Sequence, residues 1–239
     1  CSTRPDCLDA AVLRRLREGG CTTVELGIQS FAPTALALAG RGYDSPMALA
    51  ACALVREAGL ALGVQLLPGM PGVDDGLFLA DVRTALSAGA HMLRFYPCLV
   101  LEGTPLARWW REGRYRPWDM EQTLAALARG WLLAQAANVP VIRMGLAPEP
   151  SLAAAVLAGP VHPALGARVM ARALLLAVAA ARAEHRPGKP LHSLEVPRHC
   201  QGHFWGHRGE LREKWGLLGI GPHNLHFRPT QAVRLVWSE

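Results

Sequence analysis

Short apolar runs of strand character alternate with longer stretches of helical period from Cys1 to Leu146, and this alternation restricts the chain more than any other feature. Asp6 is placed to cap a helix carrying Leu8, Val12 and Leu16 on one stripe and stopped by Gly19-Gly20. Thr22 to Ile28 reads as a β-branched strand with a polar tip. A helix from Pro46 to Ala58 closes at Gly59. Leu60 to Leu67 reads as a buried strand, broken by Pro68-Gly69-Met70-Pro71-Gly72. Asp74 or Asp75 caps the next helix, which runs to about Gly89, and Met92 to Tyr96 is a further strand. Thr104-Pro105 opens a short helix. Asp119 with Gln122 resembles a capping box at the head of a helix to about Ala137, before a strand from Val139 to Met144. Strands separated by helices of this length require parallel pairing through right-handed crossovers, in an open sheet or a barrel.

The remainder changes character. Pro148 to His185 (segment 148–186) is rich in Ala and Leu at helical spacing, and Pro187-Gly188-Lys189-Pro190 reads as a linker. Beyond it, a strand near Leu191 to Val196, a helix near Arg208 to Trp215 and strands near Leu225 to Phe227 and Ala232 to Trp237 make a small α+β appendage, 187–239. The 239 residues suffice for one domain of barrel size with such an addition. With 51% hydrophobic and 18% charged residues, disordered and fibrous classes are excluded. The greasiest stretch, Ala173 to Ala181, is fenced by Arg168, Arg172 and Arg182, so no membrane span is expected. A net charge of +6, carried mostly by Arg, permits RNA or phosphate binding without requiring it. The six cysteines match no zinc or disulfide spacing and read as reduced thiols of a cytoplasmic protein.

Ligands of parallel α/β folds bind at the carboxyl ends of strands. The groups standing there are Ser2, Thr3 and Arg4, then Gln29, then Gln65 before the Pro-Gly-Met-Pro-Gly break, then Arg94 and Tyr96, and Arg143. Any one of them alone is explained as a solvated loop-edge group; together they describe a pocket for a polar ligand. Cys52 belongs to an apolar helix face, while Cys98 stands beside the strand-end Tyr96, in the core or at the pocket. His199-Cys200, His203 and His207 have a spacing that zinc could use, but Gly202 and Gly206 interrupt any helix there, and no metal site is assigned. Trp205, Trp215 and Trp237 read as the core of the appendage.

The order of motifs is more specific than any single residue. Ser2-Thr3-Arg4-Pro5-Asp6, Val24-Glu25-Leu26-Gly27-Ile28-Gln29-Ser30-Phe31, Gly40-Arg41-Gly42-Tyr43 and Gln65-Leu66-Leu67-Pro68-Gly69-Met70-Pro71-Gly72 resemble successive motifs of the radical S-adenosylmethionine (SAM) superfamily. The runs Leu93 to Leu106 and Arg114-Tyr115-Arg116-Pro117-Trp118 resemble its Elongator catalytic-subunit (Elp3-like) branch. The resemblance covers roughly Cys1 to Leu146. It implies that 1–147 is the C-terminal portion of a partial (β/α)6 barrel. It also implies SAM bound at a [4Fe–4S] cluster held by a C-x3-C-x2-C loop, an electron donor to reduce that cluster, and a 5′-deoxyadenosyl radical that acts on tRNA or another polar substrate. By the same resemblance Ser2, Thr3, Arg4, Gln29, Arg41 and Gln65 would hold SAM. Arg41 would face its carboxylate, and the Pro-Gly-Met-Pro-Gly segment would approach its adenine.

The chain departs from that pattern where the cluster is concerned. No C-x3-C-x2-C occurs, and no Gly-Gly-Glu motif precedes Ser2, so the visible strands would correspond to the fourth barrel strand onward, with the cluster ligands in a missing N-terminal part. The residues after Pro190 are too few for the acetyltransferase domain of an Elongator-type enzyme, which points to a shorter relative. On this reading the chain is a fragment of a radical SAM enzyme, inactive by itself. The alternatives are a non-catalytic remnant that binds RNA or a partner, and another radical SAM branch such as the oxygen-independent coproporphyrinogen oxidase type.

Overall fold

The computed structural model describes residues 1–146, 149–185 and 191–238. The chain divides into two compact units, Cys1–Pro163 and Ala164–Glu239. The division falls inside the segment expected to be one helical piece, and the expected linker at 187–190 lies outside the described residues.

In the first unit the elements follow as β1 (Ser2–Thr3), α1 (Ala10–Glu18), β2 (Thr23–Gln29), α2 (Pro33–Leu38), α3 (Ser45–Glu57), β3 (Ala61–Leu66), α4 (Asp75–Ser87), β4 (Met92–Phe95), β5 (Val100–Leu101), α5 (Pro105–Arg111), α6 (Met120–Ala136), β6 (Val141–Met144), α7 (Pro150–Ala155) and β7 (Val156–Ala158). β1, β2, β3, β4 and β6 pair in that order, all parallel. Five strands are more than the three left if a six-stranded barrel were entered at its fourth strand. β5 and β7 form a separate antiparallel pair. Four helices start at a polar cap. Asp44, Asp74, Thr104 and Asp119 each accept a backbone N–H three residues on, at 2.8 to 3.2 Å.

Three local expectations are corrected. Asp6 does not cap α1. Its carboxylate is taken by both ends of the Arg4 guanidinium, at 2.8 and 2.6 Å, within a short 3-10 turn at Pro5–Cys7, and Asp9 caps the helix by accepting from Val12 N. The capping box at Asp119 is only half formed, because the Gln122 side chain donates to Asp75 of α4 instead of returning to the cap. Pro148 to His185 is not continuously helical. α7 ends at Ala155, and Val156–Ala158 extends to pair with β5, since a β-branched residue and Gly159 (φ 118°) break the helix.

One face of the sheet is dry. Val24, Leu26, Ile28, Leu62, Val64, Leu66, Leu93 and Phe95 are all at most 1% exposed, beneath α3 and α4. α6 closes tightly on α4 at Gly130, where an added Cβ would lie 2.9 Å from Phe78 Cε1. Phe78 cannot retreat, because its ring meets Phe95 edge-on at 5.2 Å and Trp118 at 6.4 Å. Period two then sends Glu25, Gly27, Gly63, Gln65 and Arg94 to the opposite face.

The second unit holds α8 (Leu165–His185), β8 (Leu191–Pro197), α9 (Arg212–Leu217), β9 (Leu225–Arg228) and β10 (Arg234–Trp237). β8 lies between β10, antiparallel, and β9, parallel. Ala171, Leu175 and Val178 of α8 share a core with Leu194, Val196, Phe204 and Trp215. Phe204 and Trp215 stack at 4.2 Å, and the indole N–H of Trp215 donates to the Phe204 carbonyl. Trp205 and Trp237 pack against this core. Among the described residues, no helix is long and apolar enough to cross a membrane.

Gly130→Ala is a direct check on the α4–α6 contact. Ala gains about 1 kcal/mol of helix propensity, but overpacking a fixed ring costs about 1–3 kcal/mol. The variant is expected to lose up to about 2 kcal/mol in urea unfolding, and Phe78→Leu in the same chain should return part of the loss.

Candidate functional site

At the carboxyl edge of the sheet, β2 ends on Gln29 in the left-handed region, with φ 68°. That conformation is costly for a residue with a side chain and persists only where its surroundings impose it. Two contacts do so. The Gln29 carbonyl accepts from Leu67 N at 2.8 Å, and the next turn is clamped by Asp81 of α4, which accepts from Phe31 N at 2.7 Å. Asp81 is 4% exposed and is also held by the Ser30 hydroxyl. Burial pushes its carboxyl up to about 6, against the lowering effect of the Ser30 and Phe31 hydrogen bonds.

The residues that follow α2 bring Arg41 back onto the same edge. Its Nε donates to the Tyr43 hydroxyl at 3.1 Å and its Nη2 to the Gly27 carbonyl at 3.0 Å. Its guanidinium lies 5.3 Å from the Tyr43 ring centre. The Tyr43 hydroxyl in turn reaches the carbonyls of Gly27 and Ile28, and burial raises its pKa. Arg41 is thus held by Tyr43 and by β2, not by surface carboxylates at Asp44 or Glu57, and its remaining N–H groups make no hydrogen bond among the described residues.

Gln29 and Arg41 line one cavity of about 460 Å³, together with Leu38, Leu67, Met70, Cys98 and Trp109. That volume lies within the range of small-molecule sites, and mostly apolar walls with a few polar groups are their usual composition. A second hollow of about 330 Å³ shares Leu38, Met70, Pro71 and Trp109 and adds Arg114, Tyr115, Arg116 and Trp118. Cys98 is 6% exposed at the cavity wall, and burial pushes its thiol up. It is a neutral lining group. Cys52 is core, its thiol raised by burial to about 11.

The other sequence-selected residues stand elsewhere on this edge. Arg4 spends its guanidinium on Asp6 and on the Arg41 carbonyl, at 2.6 Å, so it supports the Arg41 loop. Thr3 is half-buried in register with Leu26. Gln65 lies on the open face of the sheet, where its Nε2 is 3.1 Å from Ser2 Oγ and 3.3 Å from Glu25 Oε2. Gly69 and Gly72 have φ of 79° and 83°, as the turn requires. The close approach at Gly69, however, is taken by the Trp118 indole, 3.0 Å from where a Cβ would be, and not left open to a ligand's ring.

Sequence reasoning missed Glu25 and Tyr43 and left Arg94 without a role. Arg94 Nε lies 2.6 Å and Nη2 2.9 Å from the two Glu25 oxygens, and Nη1 donates to the Tyr96 hydroxyl at 3.0 Å. The Glu25 hydrogen bond first, and Tyr96 second, raise the Arg94 pKa. The signal was the period-two placement of Glu25, Gln65 and Arg94 on adjacent strands. The cysteines do not assemble. Among the described residues no three His, Cys, Asp or Glu converge on a possible metal position, the histidines of 199–207 included. The residues present therefore do not fit an iron–sulfur cluster, and no cluster ligand is assigned to them.

Comparison with known proteins gives residues 1–85 as a match to the family model of the Radical SAM superfamily and residues 90–174 as a match to that of the Radical_SAM C-terminal domain. A tRNA uridine(34) acetyltransferase of Methanocaldococcus infernus is 33% identical over 129 residues, 53% of this chain and 24% of that protein. One of Dehalococcoides mccartyi is 39% identical over 120 residues, 48% of this chain and 26% of its own length. Among solved structures, the archaeal Methanocaldococcus infernus Elp3 with an N-terminal deletion superposes with a TM-score of 0.61 at 27% identity, over 70% of this chain and 39% of that one. The chain thus spans about a quarter of the length of these curated relatives.

Asp81 gives the site a measurable pH signature. Between the ordinary carboxyl value of 3.8 and its folded value of about 6, the folded protein holds this proton more tightly than the unfolded chain does. The Asp81 contribution to stability therefore falls as pH rises through that window, by an amount on the order of 3 kcal/mol. Asp81→Asn preserves the acceptor for Phe31 N and removes the titration. Urea unfolding at pH 4 and pH 7.5 should show the wild type losing stability relative to this variant; parallel pH profiles would refute the assignment.

Proposed function

The chain belongs to the radical SAM superfamily, its parallel sheet being part of that fold, and on that premise we propose that it supplies the SAM-holding edge of an enzyme that modifies tRNA. The observation that carries this reading is Arg41, whose guanidinium is anchored to Tyr43 and to the Gly27 carbonyl while lining the same cavity as Gln29. A planar, permanently charged group with unspent N–H donors suits the carboxylate of SAM. Gln29 at the cavity wall and Gln65 on the next strand can donate to or accept from its ribose hydroxyls. Ser2 and Arg4 serve as supports, one to Gln65 and the other to the Arg41 loop, with Thr3 between them on β1. The radical chemistry of SAM would need a [4Fe–4S] cluster, for which the described residues of this chain supply no ligand set. The residues of this chain bind and orient SAM and keep water from it, and the apolar wall of Leu38, Leu67, Met70 and Trp109 suits that last task.

The tRNA part of the proposal is supported by the names of the relatives and by a basic, aromatic stretch beside the cavity. Arg108, Arg111, Arg114 and Arg116 are exposed there, and Arg114 lies 5.1 Å over the Trp109 ring. Interleaved Arg and aromatic groups are the usual means of holding phosphates and unstacked bases. We further place the protein in the cytoplasm, where its cysteines stay reduced and an electron donor can serve the cluster.

Arg41→Ala should weaken SAM binding by about 1.5–3 kcal/mol, roughly 10- to 150-fold, as expected for a lost hydrogen bond to a charged group. Isothermal titration of SAM into wild type and variant measures this. Wild-type affinity in the variant would remove the carboxylate assignment.

A further inference from the structure

We propose that Glu25 is a positioning residue that fixes the carboxamide of Gln65 in one orientation, so that the open face of the sheet presents a hydrogen-bond acceptor there and selects a ligand with an N–H or O–H at that point. This rests on the reading of Gln65 as part of the SAM-holding edge.

The geometry begins with a glycine. Glu25 on β2 is in register with Gly63 on β3 and with Ser2 on β1. A Cβ at Gly63 would lie 2.6 Å from Glu25 Cγ, so only glycine lets the Glu25 side chain lie across β3. The carboxylate then stands between Gln65 and Arg94, which are themselves in register on β3 and β4. Arg94 Nη2 donates to Glu25 Oε1, its Nε lies 2.6 Å from Oε2 in an ion-pair contact, and Tyr96 steadies the guanidinium, which keeps the Glu25 carboxylate in place.

A carboxylate paired with a guanidinium offers only acceptors. The end of the Gln65 amide that faces Glu25 must therefore be the NH2, since the reverse would set two oxygens against each other. Its two hydrogens go to Ser2 Oγ and Glu25 Oε2. Oε1 receives no hydrogen bond among the described residues and is the atom offered to a ligand. A free Gln reads donors and acceptors alike by turning over; this one is held as an acceptor.

The variant that tests this is Glu25→Gln, of the same shape. Facing Arg94, the introduced carboxamide would turn its carbonyl to the guanidinium and its NH2 to Gln65, and so reverse the Gln65 amide. In the 239-residue chain labelled with 15N-glutamine, the Gln65 side-chain NH2 signals, assigned by their loss in Gln65→Glu, should exchange slowly with water. Exchange should be about tenfold or more faster in Glu25→Gln. SAM, titrated as the probe, should bind about 5- to 30-fold more weakly to Glu25→Gln and to Gln65→Ala, and the double variant no more weakly than Gln65→Ala alone. A merely structural Glu25 would give multiplied losses in the double variant and unchanged Gln65 exchange, and either result overturns the proposal. If Gln65 exchange responds as stated but the wild type does not bind SAM, the SAM reading fails and the orientation of Gln65 stands.

Discussion

The structure depends on a parallel sheet that is dry on one face only. A parallel strand buried on both faces reads as a continuous apolar run. Here β2, β3 and β4 read Val24-Glu25-Leu26-Gly27-Ile28-Gln29, Leu62-Gly63-Val64-Gln65-Leu66 and Leu93-Arg94-Phe95. The apolar half of that alternation is sealed by α3 and α4. The polar half has nowhere to go but the opposite face, where register brings Glu25, Gln65 and Arg94 within hydrogen-bonding reach across three strands. Helix packing on one side thereby fixes the chemistry presented on the other.

The same division of labour holds at the carboxyl edge. Gln29 occupies an unfavourable backbone region, and a buried carboxylate some fifty positions later in the chain secures the turn behind it. Arg41 is steadied by a tyrosine hydroxyl and a strand carbonyl, and Arg4 by Asp6 and the Arg41 carbonyl. Gln29 and Arg41, the two polar groups that line the cavity, are thus each fixed from behind. Pre-positioned groups of this kind lose less freedom when a ligand arrives, which is how a rigid scaffold serves a site made largely of loop residues.

The second unit solves a different problem with different means. Its core includes the stacked Phe204–Trp215 pair, with the indole N–H satisfied. Arg168 holds Glu210 with a two-pronged contact, which keeps the Glu210 carboxyl below its ordinary range. The histidines of 199–207 are spaced by glycine turns, among them Gly206 at φ 73°, so proximity in sequence does not become convergence in space.

By itself the sequence determined the succession of strands and helices, most helix starts and the strand-end residues Gln29 and Gln65, because periodicity and capping are local and act over a few residues. It also carried the motif order that identifies the superfamily. It could not determine which Asp near Pro5 would cap, since Arg4 takes Asp6, nor that Gln122 would leave its cap for Asp75, nor that the Gly69 approach would go to Trp118. Glu25, Tyr43 and Asp81 looked like ordinary strand, loop and helix residues. Their roles were decided only by tertiary structure, because cross-strand register and helix-on-sheet packing set which distant side chains meet. A charged group's function depends on the partner it meets, and that partner lies on another element.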